Sequence, residues 1–340
     1  MKRLVVLLLI VSAAASAEVT LSEPGRTLAV PQWNDGKLMP IWSHGFLFSL
    51  GAEDGSVTVY STTGEQSVVV ADTKIWPGGT AAPHLAYASA SPDGTVFAVC
   101  GTTLRANGNV DGFIYFFGPG RSPHMVQLPY TGPMRVAFAD DGTLWVLLRE
   151  FYLSTNELEK YDMLRHFDVN GKFLGSAIPN YTLPPSAKYS AIYTPSLSIS
   201  HDTIAVYFDR PHTWIELAYD GTVKGQWQVP ETSLGTGQPA AMTRLELTSS
   251  NQVVRVTGLV GKGHGTRVEL LERSSGTLDA ATVDFSSMAR VHPYLIGIDN
   301  EQLVWLGDSS MLDWCSLVTT HTANTALQTG LRPLPASDRK

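Results

Sequence analysis

Turn signals recur at a regular spacing along the chain and separate short runs of strand-forming residues. One series comprises Gly64, Gly120, Gly171, Gly221, Gly276 and, less distinctly, Asn324, in steps of 48 to 56 residues. A second, interleaved series comprises Asp54-Gly55, Asp93-Gly94, Asp141-Gly142, His201-Asp202, Ser250-Asn251 and Asp299-Asn300. The runs between them are rich in β-branched and aromatic residues, and helical periodicity is nearly absent. The chain is therefore predicted to be all-β, with six units of about fifty residues.

Each unit has the order strand A, tight turn, strand B, longer loop, strand C, tight turn and strand D. The fourth unit shows this order most clearly, with predicted strands at 196–200, 203–208, 213–219 and 222–229. One four-stranded unit cannot bury both of its faces, whereas a closed ring of units can. We therefore predict a single β-propeller with six four-stranded blades. Seven blades, or a β-sandwich with periodic glycines, remain as alternatives.

The two ends of the repeat predict how the ring closes. The sixth unit has candidate strands at 294–298, 302–306 and 314–319, but the segment after Asn324 is a poor fourth strand. The strand-like run 26–30 belongs to no unit. Because an open seam leaves sheet edges unpaired, we predict that this N-terminal run supplies the outer strand of the last blade. The propeller domain then spans residues 18–330 and is followed by a flexible tail at 331–340.

The first seventeen residues have the three parts of a secretory signal peptide. Lys2 and Arg3 precede an apolar run at 4–11, and the small residues at 12–17 suit cleavage after Ala17. The apolar stretch is too short to cross a bilayer, which needs ~20 residues. We expect a secreted or periplasmic protein without a membrane span. The formal net charge of −7 indicates no basic surface for nucleic acid.

Two cysteines, Cys100 and Cys315, lie in separate strand-like segments. An oxidising compartment permits a disulfide between them if the fold brings them together. Their apolar neighbours favour two buried thiols instead, and the disulfide remains the alternative. No cluster of Cys and His has the spacing of a zinc site.

Three turn-and-strand motifs carry a resemblance to known proteins: SPDGTVFAV at 91–99, ADDGTLWVL at 139–147 and DVNGKFLG at 168–175. In these motifs the chain resembles the six-bladed propellers of secreted bacterial proteins, a superfamily that includes the NHL-repeat, TolB-like and gluconolactonase groups. The resemblance covers nearly the whole chain after the signal peptide, and it implies the architecture. Because such motifs mark turns in propellers of many functions, they specify no ligand.

The two faces of the predicted propeller have loops of unequal length. The A–B and C–D turns are short, whereas several B–C and D–A loops are long, and function concentrates in long loops on a rigid scaffold. We therefore expect the site on the long-loop face, around the central channel. Its candidate residues lie where B strands end or A strands begin: Arg135, Arg149, Glu150, Asp209, Arg210, His212, Arg244, His264 and Asp308.

Two functional hypotheses follow from these residues. Arginines at one channel mouth can bind a carboxylate, a phosphate or a sulfated glycan, although Arg149 and Arg210 can instead pair with their acidic neighbours between blades. The first hypothesis is a non-catalytic, monomeric module without a cofactor that binds a protein or glycan through the long-loop face. The second is a channel-centred hydrolase or lyase.

The gluconolactonase resemblance implies a divalent cation for this second hypothesis. A hard cation needs convergent oxygen ligands, and Glu150, Asp209 and Asp308 are the candidates at comparable strand ends. The asparagines of that metal site have no counterpart here, so most of its ligand set is missing from the sequence.

Tryptophans divide into two groups by their position. Those inside predicted strands are expected in the core between blades, whereas Trp42, beside a long loop, is expected to serve recognition. The strand group comprises Trp145, Trp214, Trp227 and Trp305.

Overall fold

Every regular element in the described part of the protein is a β-strand, in agreement with the sequence. The computed structural model describes residues 17–22, 24–30, 39–51, 54–61, 66–70, 83–105, 108–150, 161–179, 196–208, 212–231, 240–259, 266–283, 294–307 and 311–321. Within these ranges the strands form six antiparallel sheets, one for each predicted blade.

The first three blades follow two N-terminal strands, β1 (Ala17–Leu21) and β2 (Arg26–Ala29). The first blade contains β3 (Ile41–Ser43), β4 (Phe46–Leu50), β5 (Val57–Tyr60) and β6 (Gln66–Val70). The second contains β7 (His84–Ala90), β8 (Phe97–Leu104), β9 (Val110–Phe117) and β10 (His124–Leu128). The third contains β11 (Thr131–Phe138), β12 (Leu144–Glu150), β13 (Asp162–Phe167) and β14 (Phe173–Pro179).

The last three blades complete the ring. The fourth contains β15 (Ser196–Ser200), β16 (Thr203–Phe208), β17 (Thr213–Leu217) and β18 (Val223–Gln228). The fifth contains β19 (Ala240–Leu247), β20 (Val253–Leu259), β21 (Thr266–Arg273) and β22 (Leu278–Val283). The sixth contains β23 (Tyr294–Asp299), β24 (Gln302–Gly307) and β25 (Met311–His321), and β1 and β2 both pair with β25.

The first strand of each blade is innermost, and these inner strands line the channel. Contacts join β3 to β7, β7 to β11, β11 to β15, β15 to β19 and β23 to β3, and an apolar cluster joins the fifth blade to the sixth, so the ring is closed. The apolar core lies between neighbouring blades, and one cluster fills each interface or runs across two of them. The protein is therefore a six-bladed β-propeller, as predicted.

Ring closure follows the prediction and extends it. Residues 26–29 pair with 311–314 of β25, and residues 17–21 pair with 317–321 of the same strand. Between the two segments, the Ser22 amide donates to the Ser316 carbonyl at 2.8 Å and the Gly25 amide to the Trp314 carbonyl at 2.9 Å. The outer strand of the sixth blade is thus one N-terminal segment in two pieces, of which the sequence predicted only the second.

The Asp-Gly and Asn-Gly turns take their shape from the glycine and from an aspartate carboxylate in or just before the pair. Gly142 and Gly171 have φ values of 81° and 77°, in the region that glycine enters without a steric penalty. The Asp141 carboxylate accepts the Thr143 amide at 2.9 Å, and the Asp168 carboxylate accepts the Lys172 amide at 2.9 Å. Side chain and glycine together fix each tight turn, which explains why these pairs mark the repeat.

Two details of the predicted units are wrong. Asp54-Gly55 lies in the short B–C connection of the first blade, between β4 and β5. The A–B turn of that blade is His44-Gly45. The long B–C loop that the sequence predicts in the second unit, at 101–112, is mostly strand, since β8 extends to Leu104 and β9 begins at Val110. Residue 112 lies in β9 and is a glycine because a Cβ there would lie 2.5 Å from Pro133 of the next blade.

Cys100 and Cys315 are buried and form no disulfide, so the favoured expectation of two thiols is correct. They belong to different core clusters, and burial raises the pKa of the Cys100 thiol to about 12. A neutral thiol of this kind packs as a small apolar side chain and is a poor nucleophile.

The tryptophan expectations hold for three of the four strand positions. Trp145, Trp214 and Trp305 are buried. Trp227 is half-buried on an outer strand, where its indole nitrogen donates to the Ser274 carbonyl of the next blade at 3.1 Å. The expectation for Trp42 is wrong, because this side chain is buried at the seam.

Candidate functional site

A cavity of about 460 Å³ lies in the central channel. Inner strands of all six blades contribute to its lining, and it extends to the A–B turns, where His44, Asp140, His201 and Asn300 line it. The sequence predicted a site on the opposite, long-loop side. Most of those long loops, including 151–160 and 232–239, lie outside the described residues. The cavity that the structure describes is therefore on the short-turn side of the channel.

Equivalent positions on the inner strands can be matched by two regular features. A bulge precedes Tyr87, Arg135 and Gly297 in their strands, so these three residues are equivalent. Two residues further along, a serine hydroxyl accepts the main-chain amide of the next blade, as Ser89 does from Phe138 at 3.1 Å. Side chains two residues apart on a strand point to the same side.

The same serine bond places two further residues in this scheme. Ser198 accepts the Leu247 amide at 2.8 Å, which makes Glu246 equivalent to Ser89. By this serine bond Arg244, two residues earlier, is equivalent to Tyr87 and Arg135, although the register shift of β19 comes two residues before Arg244, at Met242. We call Tyr87, Arg135 and Arg244 the guanidinium layer of the channel. The carboxylate layer, two residues nearer the A–B turns, contains Ser43, Ser89, Ser198, Glu246 and Asp299.

Arg244 spans the channel within the guanidinium layer. Its Nη2 donates to the Tyr87 hydroxyl at 2.8 Å, its Nη1 donates to the Leu295 carbonyl at 3.2 Å, and its Nε donates to Glu246. Burial lowers the pKa of Arg244, but Glu246 and Tyr87 outweigh burial and raise the pKa above its ordinary value. Because Tyr87 and Arg244 belong to the second and fifth blades, their hydrogen bond joins opposite sides of the ring.

Arg135 supplies a second positive charge beside this pair. Its guanidinium stacks on the ring of Tyr87, 4.7 Å from the centroid, and its Nη1 donates to the Met134 carbonyl at 2.9 Å. Burial lowers the pKa of Arg135, and the nearby Arg244 lowers it further. Among the described residues Arg135 has no carboxylate in an ion pair with it. The guanidinium layer therefore holds two arginines for one directly bonded carboxylate.

Glu246 links the two layers. Its side chain is only 9 % exposed, and one of its oxygens binds Arg244. The other oxygen makes no hydrogen bond to any described residue, while the side chain lines the cavity. Asp299, in the same layer of the neighbouring blade, accepts the Trp314 indole N–H at 2.9 Å. This part of the channel carries negative charge.

The mouth of the cavity carries two histidines and an aspartate. His201 Nδ1 lies 3.5 Å from an oxygen of Asp140. His44 lines the cavity at its exposed rim, and desolvation by the neighbouring turns lowers its pKa below the ordinary value of 6.5. His44 and His201 adopt φ values of 46° and 44°, which direct the tight A–B turns at the channel rim.

The structure brings together only part of the predicted site. Arg135 and Arg244 meet in the channel, whereas His212 lies at the B–C end of the fourth blade and bonds the Tyr207 hydroxyl at 3.0 Å. Arg149 lies at the end of β12, where burial lowers its pKa. The side chain of Glu150 is not described, and Asp209, Arg210, His264 and Asp308 lie outside the described residues.

Other charged residues of the scaffold form ion pairs, both between neighbouring blades and within one blade. Arg273 of the fifth blade donates to Glu216 of the fourth at 2.7 Å. Arg255 donates to Glu269 at 2.6 Å within the fifth blade, and both side chains are almost fully buried. These pairs hold the scaffold together.

Two residues of the channel were missed in the sequence. Glu246 follows Arg244 by two positions in a strand, so the alternation of side chains would have placed both on the channel side. Tyr87 is equivalent to Arg135 in the preceding unit, and an alignment of the A strands would have shown this.

Metal-binding clusters and membrane-spanning helices are both absent from the described part of the chain. There, no group of three His, Cys, Asp or Glu side chains is placed to hold a metal ion. Within the same residues, no helix has the length and apolar character to cross a membrane.

Fold and channel together define a six-bladed β-propeller with a charged central cavity. No family model matches the sequence, and no curated protein matches it either. Solved structures match the fold. A Bacteroides fragilis protein provisionally described as exported is 10% identical with a TM-score of 0.52, and the match covers 88% of this chain and 95% of that one.

Two further structures are similar. The Malassezia sympodialis allergen Mala s 1 is 9% identical with a TM-score of 0.49, over 85% of this chain and 96% of its own. The soluble aldose sugar dehydrogenase of Escherichia coli is 12% identical with a TM-score of 0.48, over 87% and 99% of the two chains. At 10% identity, the match to the Bacteroides fragilis protein supports the fold alone and leaves function to the site.

Proposed function

We propose that this protein is an exported, non-catalytic binding protein that holds an anionic group of a small ligand in its central channel. The observation that supports this proposal is the guanidinium layer, where Arg244 bonds the carboxylate of Glu246 and Arg135, stacked on Tyr87, bonds no carboxylate of a described residue. An arginine binds carboxylate and phosphate groups through pairs of N–H donors. Arg135 directs one donor to the Met134 carbonyl, and none of its other donors bonds a described residue.

Export is part of the proposal and rests on the sequence of residues 1–17. Residues 1–16 lie outside the described part of the chain. The first described strand begins at Ala17, so cleavage after Ala17 removes only one residue from β1. A mature chain that starts at Glu18 therefore keeps the outer strand of the sixth blade.

A protein or glycan partner at the long-loop face stays a prediction, because the loops 151–160, 180–195 and 232–239 are outside the described residues. The same holds for a metal-assisted enzyme that uses Glu150, Asp209 and Asp308. The proposal is placed in the channel because the charged groups there and their hydrogen-bond partners lie among the described residues.

Binding of small carboxylates tests the proposal. We expect acetate, succinate or glutarate to raise the melting temperature of the native protein, since a ligand that binds only the folded state stabilises it. The Arg135→Met variant should lose this response, whereas Arg121→Met, which removes an arginine bonded to Val169 and Asn170 outside the channel, should keep it. Isothermal titration calorimetry would measure the same affinities. The proposal fails if no carboxylate stabilises the native protein, or if Arg135→Met responds like the native chain.

A further inference from the structure

The charge of the channel changes sign along its axis. Arg244 of the guanidinium layer lines the cavity, and Arg135 stacks on Tyr87 beside it, while the carboxylate layer carries Glu246 and Asp299, two residues closer to the A–B turns. Asp140 adds a further carboxylate at the mouth. A ligand with a single negative charge would bring no positive group to these carboxylates.

The carboxylate layer also has unused acceptor capacity. Glu246 is nine-tenths buried, lines the cavity and uses only one of its two oxygens within the described part of the chain. A cationic donor from a ligand in the cavity would form a charge-assisted hydrogen bond with this second oxygen. The serine hydroxyls of the layer are engaged, for example Ser43 with Ser89 at 3.0 Å. The layer is therefore suited to an ammonium group.

The backbone spacing of the layers gives a first measure of the length of such a ligand, although the charged ends of Arg244 and Glu246 are closer than their backbones because they bond directly. Two residues of a β-strand rise by about 6.6 Å, so the backbones of the two layers are separated by that distance. An extended dipeptide spans about the same length between its charged ends, since each residue contributes roughly 3.3–3.6 Å. A cavity of about 460 Å³ is within the range of small-molecule sites.

We propose that the ligand is dipolar, a molecule of the amino-acid or short-peptide class whose carboxylate binds the guanidinium layer and whose ammonium group binds Glu246 and Asp299. This inference rests on the proposed function and names the class of its ligand. The ligand enters from the short-turn side, where the described cavity reaches the A–B turns, and its carboxylate lies deeper than its ammonium group.

A matched series of dipeptides tests the inference by calorimetry. The probes are Ala-Ala with free ends, N-acetyl-Ala-Ala, which lacks the ammonium group, and Ala-Ala-amide, which lacks the carboxylate. We expect the free dipeptide to bind at least about tenfold more tightly than either capped form, because each capped form loses one charge-assisted contact. Succinate serves as the reference anion.

Two variants separate the ends of the ligand. Asp299→Asn keeps an acceptor for the Trp314 indole and should abolish the preference for the free over the acetylated dipeptide. Asp313→Asn removes a carboxylate of the same blade that bonds Thr27 outside the channel, and it should leave the preference intact. Arg135→Met should abolish the preference for the free dipeptide over the amide.

The outcomes distinguish the two proposals. Equal binding of free and acetylated dipeptide, both tighter than the amide, overturns the dipolar ligand and leaves anion binding in place. Binding of succinate without binding of any dipeptide likewise overturns the dipolar ligand and leaves anion binding in place. If neither succinate nor the dipeptides bind, the proposed function falls and this inference falls with it.

Discussion

Trp145 illustrates what one side chain contributes to a propeller blade. It is 1% exposed, and its ring lies 4.3 Å from that of His166 on the next strand. We expect Trp145→Ala to lower the free energy of unfolding by about 3–5 kcal/mol, because it removes buried area and leaves a cavity. Phe173→Ala, at a position that is 54% exposed, should cost less than about 1 kcal/mol. Urea denaturation measures both, and similar losses would contradict the assigned burial.

His166 makes the stability of the protein depend on pH. Burial lowers its pKa below the ordinary value of 6.5, and Asp141 only partly offsets this effect. Between the two pKa values the unfolded chain binds more protons than the folded one, so stability rises with pH there and falls on acidification below 6.5. His166→Phe should lose less stability between pH 7 and pH 5 than the native protein.

Denaturation curves at several pH values measure this difference. The exposed His84 provides the control, and His84→Gln should keep the pH dependence of the native chain. A His166→Phe variant whose acid sensitivity equals that of the native protein would exclude His166 as the titrating group.

Sequence reasoning at the residue scale succeeded where a strand pattern was clear. Trp145 and Trp214 lie in long alternating or apolar runs, which identified them as core. Trp42 was misassigned because β3 has only three residues, too few for a recognisable period. Its packing partner, Trp314, lies 5.0 Å away but near the other end of the chain, and local patterns carry no information on such a contact.

The seam of the sixth blade depends on pairing between the N-terminal segment and β25. The N-terminal segment covers β25 along 311–314 and 317–321, and Val30 enters the core between the sixth and first blades. The sequence predicted β2 because a strand was missing and one was unassigned. It did not predict β1, because residues 17–21 adjoin the signal peptide and no further strand was required.

Removal of residues 18–29 should therefore open the ring. The edge of β25 would lose its hydrogen-bonding partners, which favours pairing between molecules. We expect the melting temperature to fall by roughly 10 °C or more and aggregates to form, since several kcal/mol of pairing and burial are lost. Calorimetry and light scattering measure these effects. Removal of the predicted tail, residues 331–340, is the control and should change neither; an unaltered melting temperature without residues 18–29 would contradict closure by the N-terminus.

At the scale of the whole molecule, the repeat predicted the architecture, while the site depends on contacts across the ring. Blade number, strand order and closure all follow from spacing and from the need to pair edges. Arg135 and Arg244 were identified as candidates from their positions at A strands. Their convergence with Tyr87 requires knowledge of which blades face each other and of the bulges that set the register, and neither is encoded locally.

The hydrogen bond between Tyr87 and Arg244 gives a measurable quantity at this scale. It links the second and fifth blades across the channel at 2.8 Å. A hydrogen bond to a charged group contributes about 1.5–3 kcal/mol, so the single variants Tyr87→Phe and Arg244→Met should each destabilise the protein. Arg244→Met also leaves Glu246 without its partner, but that cost occurs equally in the double variant and cancels in a double-mutant cycle.

We therefore expect a coupling energy of about 1.5–3 kcal/mol between Tyr87 and Arg244 from urea denaturation of the four proteins. A parallel cycle of Tyr87→Phe with Arg121→Met, which lies outside the channel, should be additive to within about 0.5 kcal/mol. If the first cycle were additive as well, the two side chains would not be coupled across the ring. The channel would then lack the rigid guanidinium layer on which anion binding depends.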